Sequence, residues 1–179
     1  SLTVVFLLLF SSLLTGCDGT DKRIPAQKNT AKGAEGWSEA TAKGRSGSEI
    51  DLIVTAFNQG VGLMEQYRPV EAIEAFEKVV RLAPEWSTGR LNLGIALLNA
   101  QGDEFYARAE LELKRVIREK PDNPYAHFAL GMLMKHLGRS DEARPRFERV
   151  LEIDPEDADA HYQLGALITD EDPTGAIVH

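Results

Sequence analysis

Three prolines constrain this chain more than any other feature: Pro84, Pro121 and Pro155 stand 37 and 34 residues apart, and other residues recur in phase with them. A glycine returns as Gly60, Gly94, Gly131 and Gly165, an alanine as Ala72, Ala109 and Ala143. A large apolar residue follows four positions later as Phe76, Leu113 and Phe147, and a valine three beyond that as Val79, Val116 and Val150. A period of this length marks one supersecondary unit that cannot bury its own apolar face and must stack on its neighbours. The longer unit is expected to hold its extra residues in the inter-helix turn around Gln101-Gly102-Asp103, where lengthening a loop costs little entropy.

Each recurring type has a physical task. The small Gly60, Gly94, Gly131 and Gly165, with Ala72, Ala109 and Ala143 opposite, let two helices approach closely. Phe76, Leu113 and Phe147 are expected to fill the space between hairpins, where deletion costs roughly 2–5 kcal/mol. The prolines end each second helix, since proline lacks an amide donor and restricts its predecessor. Pro69 can open a helix without penalty; Pro145, deeper in its segment, predicts a kink or a delayed start. Ser48-Glu49-Ile50-Asp51 reads as the first helix-start signal, a serine with an acid three residues later.

This pattern resembles the 34-residue helix–turn–helix of tetratricopeptide repeats (TPR), over residues 53–86, 87–123 and 124–157, with a partial unit at 158–179. The resemblance implies an all-α chain, an α-solenoid of helical hairpins. Residues 172–179 only begin a second helix, so the native chain is expected to continue past His179.

The N-terminus is of another kind. Residues 2–14 are almost wholly apolar, too short for a comfortable bilayer span of about 20 residues but of the length of a secretory signal. Leu14-Thr15-Gly16-Cys17 then resembles the lipobox of bacterial lipoproteins, which implies cleavage after residue 16 and acylation of Cys17. Two or three acyl chains anchor stably where one is marginal, at about 0.8 kcal/mol per buried methylene. Ser1 stands where an initiator Met and a basic start are expected, so the chain is expected to extend upstream as well. Asp18 resembles the inner-membrane retention signal of enteric lipoproteins and tilts the expected location to that membrane, facing the periplasm. Residues 17–48, rich in Gly, Ala, Ser, Thr and Lys, bury too little to fold alone and read as a tether of about 30 Å reach. The domain of repeats is then 49–179.

Charge narrows the function. The whole chain carries −8, divided as +2 over residues 18–48 and −10 over residues 49–179. An acidic body repels phosphate backbones, so nucleic acid is not an expected partner. Cys17 is the single cysteine, which excludes an intrachain disulfide or a cysteine-rich metal site. His127 and His161 are equivalent by repeat, but neither has the companion ligands a metal needs. His136 stands alone near a helix end and is expected to face solvent. The acidic run from Glu152 to Asp159 lacks the loop glycine of a calcium site and reads as a solvated turn before a helix start. There is no phosphate-binding glycine loop and no identifiable nucleophile–base–acid arrangement. No enzyme activity, cofactor, metal or small-molecule substrate is expected.

The resemblance implies a groove lined by the first helix of each hairpin, holding an extended peptide or a helix of a partner protein. Carried over repeat by repeat, the lining is Val54, Phe57, Asn58 and Val61; Leu91, Asn92 and Ile95; Tyr125, Phe128 and Met132; and Tyr162. Asn58 and Asn92 stand where the family uses an asparagine on a ligand's backbone. The subclass that grips a terminal carboxylate has Lys and Arg where this chain has Phe57, Tyr125 and Ala129, so an apolar ligand is expected. Phe57, Leu91 and Phe128 serve equally as core between helices; Tyr125 and Tyr162 favour an interface, joining apolar area to a polar tip. The expected function is a membrane-anchored adaptor of the bacterial envelope. The alternative is the N-terminal TPR segment of a longer exported protein, Phe57 to Met64 and Tyr67-Arg68 faintly resembling segments that precede β-propellers.

Overall fold

The computed structural model describes residues 44–171, with side chains through Leu167. The expected signal peptide, Cys17, nearly all of the tether, and residues 172–179 lie outside the described residues. Seven α-helices make up the regular structure among them: α1 (Gly47–Glu65), α2 (Pro69–Leu82), α3 (Ser87–Ala100), α4 (Asp103–Glu119), α5 (Pro124–His136), α6 (Ser140–Ile153) and α7 (Ala158–Glu171). The chain divides into two units, one ending at Gly102 and the other beginning at Asp103.

In the first unit α1 begins two residues earlier than Ser48 suggests. Ser46 is the N-cap, its hydroxyl accepting from the Glu49 amide while the Glu49 carboxylate accepts from the Ser46 amide. Two serines preceded two acids at the same spacing, and the pair that closes both bonds forms the capping box. Arg45, just before it, donates to the Leu82 carbonyl at 3.1 Å and pairs with Glu85 at 2.7 Å. A guanidinium at the carbonyl end of α2 satisfies a group the helix leaves open and complements its dipole. Part of the expected tether, then, is fastened to this unit.

The helices α1 and α2 pack through the glycine signal. A Cβ built on Gly60 would lie 2.6 Å from the Phe76 ring, and Phe76 is fully buried beside Ile53, Ala72 and Val79. Phe76 therefore fills a notch inside its own hairpin rather than only the space between hairpins. The second unit repeats this arrangement in α5 and α6. Gly131 would meet the Phe147 ring at 2.8 Å, and Phe147 is fully buried with Leu130, Ala143 and Val150. Gly165 differs: among the described residues nothing stands within 4 Å of its would-be Cβ.

The turns follow the prolines. Pro69 is the first residue of α2, and α2, α4 and α6 all end before Pro84, Pro121 and Pro155. Asn123 and Asp157 cap α5 and α7, accepting from the Ala126 and Ala160 amides at 2.9 and 2.7 Å. Pro145 does not delay α6, which starts at Ser140 and carries the proline inside it; the helix tolerates one missing donor in its second turn. The extra residues of the long repeat are not in the turn either. Only Gln101 and Gly102 separate α3 from α4, while α4 runs 17 residues against 14 in α2 and α6. The insertion adds a turn of helix upstream of Ala109, opened by Asp103 and Glu104, whose acids suit a helix start.

Candidate functional site

The first helices α1, α3, α5 and α7 carry every residue that the repeat pattern assigns to ligand binding. Their side chains divide into an interior set and an accessible set. In the first unit Phe57 is buried, its ring 4.7 Å from Trp86 and 5.8 Å from Phe76 in an edge-on arrangement. Leu91 and Ile95 are buried as well. Asn92 is 5% exposed and donates from its amide to the Thr88 carbonyl one turn back, at 2.9 Å. Back-bonding of this kind is common for short polar side chains in helices, and it engages one of the two amide hydrogens of Asn92. Val54, Asn58 and Val61 are half-buried on α1.

The second unit sorts the same way. Phe128 is buried edge-on against Phe147 at 5.4 Å, while Tyr125 and Met132 are half-buried and Tyr162 is 65% exposed. Of the two roles open to Phe57, Leu91 and Phe128, the packing role is the one these positions occupy. Of the assigned apolar and aromatic residues, Val54 and Val61 remain accessible in one unit, and Tyr125, Met132 and Tyr162 in the other.

The pattern missed one polar residue on this face. Gln163 stands 71 residues after Asn92 and 105 after Asn58, at the same place in the repeat. It is 2% exposed and accepts from Lys135 Nζ at 2.9 Å, tying α7 to α5. The recurrence of a side-chain amide at that register was the available signal, hidden because Ala129 interrupts it.

The histidines have structural partners. His127 Nε2 lies 2.8 Å from the Pro121 carbonyl oxygen, and His161 Nε2 lies 2.9 Å from that of Pro155. Arg90, six residues after Pro84 as these are after their prolines, donates to the Pro84 carbonyl at 3.1 Å. One rule thus closes all three turns: a long polar side chain in the first helix reaches back to the proline carbonyl that the preceding helix leaves open. Burial pushes the His127 pKa below its ordinary 6.5, ahead of an opposing contribution from the Pro121 carbonyl. His136 is not alone, since the Tyr106 hydroxyl is 2.7 Å from its Nε2 and the two rings meet edge-on at 4.9 Å.

Charge joins α4 to the turn before α6. Arg139 pairs with Glu142 and, at 2.9 Å, with Glu110, which also takes Lys114. Hydrogen bonds from Arg139 and then Lys114 hold the Glu110 carboxyl below the usual carboxylate range. In the acidic run, Asp154 and Asp157 accept from nearby amides, and desolvation with Asp157 alongside pushes the Asp159 carboxyl up. Among the described residues no group of three His, Cys, Asp or Glu side chains is placed to hold a metal, and no helix is long and apolar enough to cross a membrane.

The tetratricopeptide repeat family profile matches residues 101–168. No curated protein matches the chain in sequence. Among solved structures, the second TPR domain of human RPAP3, in complex with the HSP70 peptide SGPTIEEVD, is 21% identical. It covers 67% of this chain and 98% of its own with a TM-score of 0.61. The crystal structure of MamA is 25% identical, covering 66% and 68% at a TM-score of 0.61. The type III secretion translocator chaperone SycD of Yersinia enterocolitica is 16% identical, covering 73% and 98% at 0.60. The likeness to RPAP3 and SycD is one of fold.

Proposed function

We propose that this chain, which carries tetratricopeptide repeats and folds in their helical hairpins, is a protein-binding module tethered by lipid to a bacterial envelope membrane. The single observation that carries the binding role is the sorting of its first-helix residues. The first helices α1 and α5 each bury a phenylalanine, Phe57 and Phe128, while Tyr125 on α5 is half-buried and Tyr162 on α7 is exposed. Tyrosine gives contact area at low entropy cost and a hydroxyl to orient a partner.

The occupant is a peptide or helix with an apolar face. The RPAP3 domain holds a peptide ending in Glu-Glu-Val-Asp, but this chain offers Phe57, Tyr125 and Ala129 where the carboxylate-gripping subclass has cations. Binding is tested by capturing envelope proteins with the full chain carrying Tyr125→Ala and Tyr162→Ala together. Leu111→Ala serves as control, because Leu111 is exposed on a second helix. Loss of the captured partner in the double variant and its retention in the control is the expected result. Equal capture by a folded double variant overturns the binding face.

Anchoring rests on Leu14-Thr15-Gly16-Cys17, with Asp18 favouring the inner membrane and a periplasmic orientation. Expressed from its complete reading frame, the protein is expected to incorporate labelled fatty acid and to sediment with membranes, and Cys17→Ser to do neither. Labelling that survives the substitution refutes the anchor without touching the binding role.

A further inference from the structure

The turn between α4 and α5 is held by a buried, titratable side chain, His127. His127 is 4% exposed. Its Nε2 faces the Pro121 carbonyl oxygen at 2.8 Å, and a carbonyl only accepts, so Nε2 carries the proton. In the neutral ring Nδ1 is then a bare lone pair, and it is buried without a hydrogen-bond partner. Protonation would create an Nδ1–H donor in that same buried place, which costs more than an unfilled acceptor because it adds charge as well. The surrounding charges do not compensate. Arg146 and Arg149 oppose a cation here from α6, and Asp122 in the turn favours it, but Asp122 is already paired with Arg149.

We propose that His127 is an acid-sensitive latch: neutral, it clasps the Pro121 carbonyl and fixes the start of α5, and in acid it releases that turn. The released helix bears Tyr125, Phe128 and Met132, so acid loosens the second unit's first-helix face. At the equivalent step of the first unit the proline carbonyl is held by a guanidinium, that of Arg90, instead of an imidazole. His161 makes the same bond to Pro155 but is exposed, so the buried, unpartnered ring nitrogen is particular to His127.

The sign follows from linkage. A histidine whose folded pKa is depressed contributes stability above the ordinary imidazole pKa, and that contribution is lost as pH falls through the folded value. The test uses the full chain. Proton NMR of the imidazole rings is expected to show His127 titrating below the ordinary imidazole value of 6.5. In thermal unfolding, the unmodified chain is expected to lose more midpoint temperature between about pH 7.5 and pH 5 than His127→Gln, whose amide can still donate but cannot titrate. A merely structural His127 would give a loss of equal size at both pH values. The proposal is overturned if His127 titrates at or above the ordinary imidazole value, or if the Gln variant keeps the full pH dependence. Should His127→Gln not fold, the ring titration of the unmodified chain decides alone.

Discussion

The α1–α2 hairpin of the first unit and the α5–α6 hairpin of the second solve one packing problem identically and two turn problems differently. Gly60 admits Phe76 as Gly131 admits Phe147, and Phe57 and Phe128 each lay an edge against those rings. The turns diverge. Both first helices end in a left-handed residue whose successor's amide reaches back five residues, Arg68 to Leu63 and Arg139 to Met134. That residue is Gly138 in one hairpin and Tyr67 in the other, at φ 71° and 58°. The arginines that follow diverge too: Arg68 pairs with Glu71 within its own turn, whereas Arg139 pairs with Glu142 and also reaches Glu110 on another helix. Interior volume leaves no latitude, since a ring either fits its notch or does not. A turn in water has several solutions of similar energy.

The comparison breaks most visibly in the core if it breaks at all. Phe76→Ala and Phe147→Ala are each expected to cost about 3–5 kcal/mol in denaturant unfolding, and clearly unequal costs would mean that the two notches are not equivalent. Next comes the glycine itself. Gly60→Ala and Gly131→Ala are expected to destabilise by about 1–3 kcal/mol, because the rings they strike are fully buried and have nowhere to go. Gly165→Ala, with no described residue within 4 Å of its would-be Cβ, should instead raise stability by up to about 1 kcal/mol through helix propensity. The sign change between positions that the sequence makes equivalent is the measurement to seek.

The turn residues sharpen the contrast at smaller scale. Tyr67 is 67% exposed, so its side chain contributes little packing to offset a left-handed backbone. Tyr67→Gly is expected to stabilise by about 0.5–1 kcal/mol, and Gly138→Ala to destabilise by about 1 kcal/mol. Both are read from shifts in the unfolding midpoint. The smallest effect belongs to the arginines. Arg139→Ala should lower the midpoint more than Arg68→Ala, because it also releases Glu110. The Glu110 share is present above the ordinary carboxylate pKa of 4.5 and disappears as pH falls through the lowered folded value, so the gap between the two variants should narrow in acid.

Most of the hairpin architecture was legible because each of its signals is a steric necessity that admits few residues. Gly60 with Phe76, the opening Pro69 and the prolines after α2, α4 and α6 all fell where the repeat placed them. The misread features are those where two solutions have similar energy. Ser46 and Ser48 both precede an acid at capping distance. Three inserted residues can lengthen a loop or a helix, and at Asp103 the acidic helix start won. Pro145 costs its helix one hydrogen bond, too little to move a start fixed by Ala143 and Phe147. For the candidate site, the repeat pattern assigned residues to the first helices but could not say how deep each would lie: Phe57 and Phe128 are buried and Tyr162 is exposed.

The sequence by itself determined the repeat and the all-α class, because periodic small and large residues leave one way to nest helices. Only the tertiary structure decided that Phe57 and Phe128 are core while Tyr162 is surface, and that Arg90, His127 and His161 close the proline turns. The reason is physical. Periodicity fixes which side of a helix a residue occupies, whereas its depth and partners depend on the neighbouring element that arrives against that side.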